Sequence, residues 1–265
     1  MRYPWNLDYW NSGEWQVVNE RLHDMEKKGD PYNPGRSNLF ASLRSCSLTS
    51  VRCVLVGQDP YPQSRYATGL AFSIPRHIGR SGFPPTLREL LSEYSRDLGY
   101  GLPTHGDLSS WAEQGVLLWN TIPSCSDGRS LSHDWEEYRY LNREVFSKVS
   151  QRGVVFALLG GIARRDADAI SSNSRIITTS HPSPRGSANS RTPFNGSRLF
   201  STINLHLNEL ALEPIDWRLD APSSQSDVPS PTVVGNRVLQ NTTGADLGGH
   251  PRPPERNLYS STFNL

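Results

Sequence analysis

The sequence predicts an α/β fold built on a parallel β-sheet. Apolar runs of strand length alternate along the chain with segments of helical periodicity, which is typical of parallel strands that are joined by helices. Three of the four runs are almost continuously hydrophobic, as expected for strands whose two faces are both covered by other elements.

Four strands and four helices account for this pattern. The predicted strands are residues 51–56 (VRCVLV), 116–119 (VLLW), 154–159 (VVFALL) and 175–179 (RIITT). The predicted helices are residues 86–98, 135–149, 161–170 and 197–210. In the first helix one face is apolar, and Thr86 and Glu89 have the spacing of a capping box.

Length and composition indicate one large domain followed by a tail. The chain has 265 residues and a formal net charge of +1, so no strong overall basic charge points to nucleic acid. Arginine carries most of the positive charge, a bias that fits phosphate recognition but equally fits the base composition of a genome. From residue 219 the chain is rich in Ser, Pro and Gly. This composition predicts a folded domain over residues 1–218 and a disordered tail over residues 219–265.

Several functional classes are disfavoured by the sequence. The cysteines, Cys46, Cys53 and Cys125, lack metal-ligand spacing, and we expect no metal site. The N-terminus lacks the pattern of a secretory signal, and no run of eighteen apolar residues is present, so no membrane span is expected. We therefore expect an intracellular protein, cytoplasmic if bacterial and nuclear or organellar if eukaryotic.

Polar or glycine-rich turns follow all four predicted strands. The first strand runs into residues 57–61 (GQDPY), the second into Asn120, the third into Gly160 and Gly161, and the fourth into residues 180–184 (SHPSP). In open parallel sheets, ligands bind outside the carboxyl ends of the strands. The sequence therefore predicts a site where a carboxylate, an amide and an imidazole meet.

Six motifs in a fixed order resemble the uracil-DNA glycosylase family, over roughly residues 5–218. They are VLVGQDPYP (54–62), TGLAFSIP (68–75), PPTLREL (84–90), HGDLSSWAEQGVLLWN (105–120), HPSP (181–184) and PIDW (214–217). The resemblance implies a three-layer sandwich in which helices flank a central, twisted, four-stranded parallel sheet. It also implies a monofunctional enzyme without a cofactor, which flips uracil out of DNA and hydrolyses its N-glycosidic bond to start base-excision repair.

The same resemblance assigns the reacting groups. Asp59 corresponds to the carboxylate that positions water and offsets the positive charge that develops on the deoxyribose. His181 corresponds to the group that stabilises the departing uracil anion near O2. A loop histidine or a turn-forming aspartate would be the ordinary interpretation of either residue in isolation.

Uracil recognition is assigned to four residues by resemblance. Asn120 offers the donor and acceptor that match the O4 and N3–H edge of uracil. Phe72 resembles the ring on which the flipped base stacks, and Tyr61 resembles the residue that excludes the methyl group of thymine. Gln58 is the fourth member of this predicted uracil-binding set.

The residues predicted to bind DNA depart from the family pattern. The DNA-binding candidates are Thr86, Gly160, Gly161, Ser183, Arg185 and Arg191. The family often has serine where this chain has Gly161, and usually has a base-stacking leucine where this chain has Arg185. Pro62 replaces a common histidine. These departures leave open a preference for single strands, or a catalytically idle DNA-binding homologue.

The resemblance also sets the expected partners. We expect a monomer that acts on uracil-containing DNA, single- or double-stranded, with no membrane partner. Inhibitor proteins that mimic DNA are a further partner class, because some family members bind them.

Overall fold

A central four-stranded parallel sheet organises the molecule. The structure is a computed structural model that describes residues 5–183 and 190–220. Its strands are β1 (Tyr32–Asn33), β2 (Cys53–Gly57), β3 (Val116–Asn120), β4 (Cys125–Ser126), β5 (Val155–Leu159) and β6 (Arg175–Thr179). Its helices are α1 (Gly13–Lys28), α2 (Ala41–Ser45), α3 (Pro85–Leu98), α4 (Ser109–Glu113), α5 (Glu137–Ser150) and α6 (Leu199–Glu209).

The sheet has the strand order β3–β2–β5–β6, and every neighbouring pair is parallel. The short strands β1 and β4 form a separate antiparallel pair. All residues of β2 and β5 are buried, which explains their continuous hydrophobicity, whereas the edge strand β6 is mostly exposed. The predicted parallel α/β fold is confirmed.

Two hydrophobic cores lie on opposite faces of this sheet. Alternation along β2 sends Cys53 and Leu55 into the core that contains α3, α4 and α6, and sends Val54 and Val56 into the core that contains α1, α2 and α5. Because strand side chains alternate between faces, a strand buried on both sides must be apolar at every position. The result is the predicted three-layer arrangement.

The predicted elements were correct except in one segment. All four predicted strands and three of the four helices are present, with ends within two residues of the predicted ones. Residues 161–170 instead form two short 3₁₀ turns, Ile162–Arg164 and Ala167–Ala169. Between them lies Asp166, whose buried carboxylate accepts hydrogen bonds from Arg139 Nε and Asn142 Nδ2. These bonds to α5 hold the chain in a non-helical turn at Asp166.

The predicted capping box at the start of α3 is wrong. The N-cap position is Pro84, with no side-chain cap, and the Glu89 carboxylate instead accepts a hydrogen bond from Asn195 Nδ2 at 3.0 Å. A proline in the first turn needs no capping partner for the N–H that it lacks. Glu89 is therefore free to serve a tertiary contact.

Acidic side chains of α3 anchor the start of α6. The buried Glu93 accepts the backbone N–H groups of Gly196 and Arg198 at 2.7 and 2.8 Å. Asp97 accepts the N–H of Ser201 at 2.8 Å and its hydroxyl at 2.6 Å. Carboxylates suit this position because the first N–H groups of a helix have no partner within it.

Some sequence predictions fall outside the described residues. Arg185 and residues 221–265, which make up nearly all of the predicted tail, lie there, and the domain boundary at residue 218 remains a prediction. Within residues 5–183 and 190–220, every helix is too short or too polar to span a bilayer.

Candidate active site

A cavity of about 120 Å³ lies at the carboxyl edge of the central sheet. Its lining includes seven residues that the sequence predicted for the site: Gln58, Asp59, Tyr61, Phe72, Thr86, Asn120 and His181. β2 and β3 pair in the register Gly57 to Asn120, so the loop that carries Asp59 leaves the sheet directly beside Asn120. The parallel topology brings these residues together from distant parts of the chain.

The Asp59 carboxylate is held from both of its oxygens. Oδ1 accepts a hydrogen bond from Gln58 Nε2 at 3.0 Å. Oδ2 accepts one from the Ser130 hydroxyl at 2.6 Å and one from the Leu131 N–H at 2.7 Å. Three donors shared between the two oxygens leave the carboxylate plane little freedom to rotate.

His181 reaches the cavity from the end of β6. Burial lowers the pKa of His181 below its ordinary value, and the negative charge of Asp59 partly opposes this effect. The ring is therefore mainly neutral near pH 7, and a neutral imidazole has one N–H donor and one acceptor nitrogen. The Ser183 N–H donates to the His181 carbonyl at 2.8 Å, which tightens the turn beyond the ring.

Gly160 makes room for His181. Gly160 has a φ of +102°, and a β-carbon there would lie 3.1 Å from Cβ of His181. At the end of β5, backbone without a side chain therefore lies next to the imidazole.

Phe72 lines the cavity in a strained backbone conformation. Its φ is +66°, which is uncommon for a residue with a side chain and costs of order 1–3 kcal/mol. The Tyr61 hydroxyl donates to the Phe72 carbonyl at 3.0 Å, and burial raises the pKa of Tyr61, so the phenol remains a donor. One hydrogen bond thus joins the Tyr61 side chain to the backbone of the strained Phe72.

Asn120 and Phe72 share the space above Gly57. A β-carbon on Gly57 would lie 2.7 Å from Oδ1 of Asn120 and 2.9 Å from Cζ of Phe72, and real β-carbons do not approach that closely. Among the described residues the Asn120 amide has no hydrogen-bond partner. The amide therefore remains available to a ligand beside the Phe72 ring.

The predicted DNA-binding residues are only partly gathered here. Thr86 lines the cavity from the first turn of α3. Gly161 is exposed with open space around its α-carbon, Ser183 is half-buried, and Arg191 is exposed. None of these three lines the cavity.

Ser130 is a cavity residue that sequence analysis missed. It lies in the loop between β4 and α5, not at the end of a strand of the central sheet. The strand-end argument could not find it, and only the hydrogen bond to Asp59 reveals its place. Across residues 5–183 and 190–220, no group of three or more His, Cys, Asp or Glu is arranged to hold a metal ion.

Comparisons with known proteins agree on one family. Residues 44–208 match the model of the uracil DNA glycosylase superfamily. The uracil-DNA glycosylase of Acinetobacter baumannii (strain AYE) is 38% identical over 192 residues, which cover 71% of this chain and 78% of that protein. The uracil-DNA glycosylase of Bacillus pumilus (strain SAFR-032) is 37% identical over 207 residues, 77% of this chain and 86% of that protein.

A solved structure shares the fold. Mimivirus uracil-DNA glycosylase superposes with a TM-score of 0.74 at 24% identity, covering 83% of this chain and 87% of that one. A variant of the mimivirus protein has been solved in complex with UGI.

The electrostatics of the cavity predict the titration of His181. We expect its pKa below the ordinary value of about 6.5, and we expect Asp59→Asn to lower it further, because the substitution removes the charge that favours imidazolium. NMR titration of the imidazole C–H signals measures both values. His133 is an internal reference, since burial lowers its pKa to about 4 and the charge that acts on it is that of Arg129. An unchanged or raised His181 pKa in Asp59→Asn would contradict this account.

Proposed function

The chain belongs to the uracil-DNA glycosylase superfamily, and we propose that it flips uracil out of DNA and hydrolyses the N-glycosidic bond, leaving an abasic site for base-excision repair. It is a hydrolase of the glycosidase class. The observation that carries the proposal is the meeting of Asp59, Asn120 and His181 in one cavity of about 120 Å³. A cavity of roughly 150 Å³ holds a benzene molecule, so this one suits a single pyrimidine ring.

Asp59 supports bond cleavage in this proposal. As the glycosidic bond breaks, positive charge develops on the deoxyribose, and a fixed carboxylate stabilises it without reorganising at the moment of reaction. The hydrogen bonds from Gln58, Ser130 and Leu131 supply that fixation. The same carboxylate positions the water that completes the hydrolysis.

His181 supports departure of the base. Uracil leaves as an anion with charge on O2, and a neutral imidazole stabilises that charge by donating one hydrogen bond. The lowered pKa of His181 fits this role, because the donor then keeps its proton while the charge on uracil develops. The turn that carries the ring is fixed by backbone hydrogen bonds on both sides.

Base selection rests on the amide and the two rings. The Asn120 amide pairs with O4 and N3–H of uracil, whereas cytosine presents the opposite donor and acceptor, so a fixed amide rejects it. Phe72 stacks against the base. Tyr61 fills the space beside C5, where thymine carries a methyl group. Gln58 lines the same cavity and completes the set.

The proposed activity also implies which residues bind the DNA strand and which partners the protein has. Flipping requires the strand to be held on either side of the target base. We assign this to Thr86, Ser183 and Arg191, with the backbone at Gly160 and Gly161. Because the Gly160 N–H donates to the Thr179 carbonyl at 3.0 Å, the N–H offered to a phosphate is that of Gly161. We propose a monomer, because Asp59, Asn120 and His181 already meet within a single chain. Because the related mimivirus variant binds UGI, we also propose that an inhibitor protein mimicking DNA covers this edge of the sheet.

Release of uracil tests the function directly. Purified protein is incubated in EDTA with single- and double-stranded oligonucleotides that contain one uracil, and abasic sites are then cleaved with alkali. We expect strand breaks at the uracil position on both substrates, because uracil enters the cavity and its glycosidic bond is hydrolysed without a metal. Oligonucleotides with cytosine or thymine at that position are the controls. The absence of breaks on both uracil substrates would refute the proposed function.

Substitution of the carboxylate tests the role of Asp59. Asp59→Asn keeps the shape but removes the charge, so we expect single-turnover uracil release to fall by roughly 10²–10³-fold, the size of losing one preorganised electrostatic group. Affinity for DNA, measured by fluorescence anisotropy, should stay within a few-fold. Asp168→Asn on the exposed surface is the control and should retain full activity. Undiminished release by Asp59→Asn would remove Asp59 from the mechanism.

Substitution of the tyrosine ring tests discrimination against thymine. Tyr61→Ala opens space beside C5, so we expect measurable thymine release, which the wild-type protein should not show. Tyr61→Phe keeps the ring and loses only the hydroxyl, so it should still reject thymine. Complete rejection of thymine by a folded and uracil-active Tyr61→Ala variant would contradict the steric account.

A further inference from the structure

We propose that Ser130 is a positioning residue that, together with the backbone N–H of Leu131, fixes the orientation of the Asp59 carboxylate. The inference rests on the proposed function, in which Asp59 acts on the reacting sugar and water. It adds a group from residues 126–132, here called the 126–132 loop, which run from the end of β4 toward α5. Asp59, Asn120 and His181, by contrast, come from the ends of strands of the central sheet.

The contact has the geometry of a strong, charge-assisted hydrogen bond. The Ser130 hydroxyl lies 2.6 Å from Oδ2 of Asp59, and the Leu131 N–H lies 2.7 Å from the same oxygen. Hydroxyl donors to an ionised carboxylate typically lie at about 2.5–2.7 Å and bind more strongly than neutral pairs. Two donors on one oxygen restrict rotation of the carboxylate plane, which one donor alone would allow.

The arrangement also identifies the reactive oxygen. A carboxylate accepts about four hydrogen bonds, two on each oxygen. Among the described residues, Oδ2 receives two and Oδ1 receives one, from Gln58. The open acceptor position therefore belongs to Oδ1, and in this proposal that oxygen is left to meet the reacting water.

Leu131 provides its N–H at a conformational cost. Its φ is +61°, in the left-handed region that a leucine rarely adopts and that costs of order 1–3 kcal/mol. Such strain persists where the surroundings dictate the backbone path. Here the result is that the N–H of Leu131 and the hydroxyl of Ser130 converge on one oxygen.

Hydrogen bonds hold the 126–132 loop in place, so the backbone that carries Ser130 is fixed. The Gly128 N–H donates to the Pro62 carbonyl at 2.7 Å, which joins the loop to the segment just beyond Asp59. Ser132 accepts the Ser126 N–H at 2.7 Å and donates to the Arg129 carbonyl at 2.8 Å. The hydroxyl of Ser130 therefore reaches Asp59 from a closed turn.

A second serine–aspartate pair provides a matched control. Ser201 donates its hydroxyl to Asp97 at 2.6 Å and its N–H at 2.8 Å, so the chemistry is the same. Neither residue lines the cavity. Loss of this hydroxyl removes an equivalent hydrogen bond without touching Asp59.

The first experiment compares Ser130→Val with Ser130→Thr in the full chain. The two side chains have nearly the same shape, and only threonine keeps the hydroxyl. In single-turnover release of uracil from a single-stranded oligonucleotide, we expect Ser130→Val to be slower than wild type by about 10-fold or more, the size of losing a hydrogen bond to a charged group. Ser130→Thr should retain the rate within about threefold, and Ser201→Ala should match wild type. In steady-state assays, KM should change little in either Ser130 variant.

A double-mutant cycle separates positioning from general structural support. In an Asp59→Ala background no carboxylate remains to be held, so adding Ser130→Val should cause no further loss of rate. Rates for Ser130→Val within twofold of wild type, or a full additional loss in the Asp59→Ala background, would overturn the proposal. An inactive wild-type protein would instead refute the proposed function. If Ser130→Val fails to fold, as judged by thermal unfolding, Ser130→Ala takes its place in the cycle with the same expectations.

Discussion

The geometry of the site depends on Gly57, the last residue of β2, because this residue has no side chain. The Asn120 amide and the Phe72 ring both occupy the volume that a β-carbon would need, with approaches of 2.7 and 2.9 Å. The amide and the ring can therefore lie side by side in the cavity. A larger residue at Gly57 would push apart the two groups to which we assign recognition of the base.

Two titratable groups line this cavity in different environments. Asp59 accepts hydrogen bonds from three donors, whereas burial holds His181 toward its neutral form. In the proposed function, the pair sets a carboxylate against the sugar that becomes positive and a neutral donor against the base that becomes negative. Distinct environments for neighbouring groups are a common way in which enzymes assign such complementary roles.

Two of the four described non-glycine residues with positive φ, Phe72 and Leu131, lie at or next to the cavity. The backbone of each takes part in a hydrogen bond of the site. The Phe72 carbonyl receives the Tyr61 hydroxyl, and the Leu131 N–H donates to Asp59. Such conformations persist where the surrounding structure dictates the backbone path, and a hydrophobic core lies on either side of the sheet.

The sequence by itself determined the parallel sheet, because strands buried on both faces must be continuously apolar, and it located Asp59, Asn120 and His181 at strand ends that share one edge. Local sequence patterns did not predict the backbone correctly where tertiary contacts determine it. Asp166 interrupts the helix predicted over residues 161–170 through its bonds to α5. Only the tertiary structure could place Ser130 against Asp59, because hydrogen bonds between residues 71 positions apart leave no periodic signal in the chain.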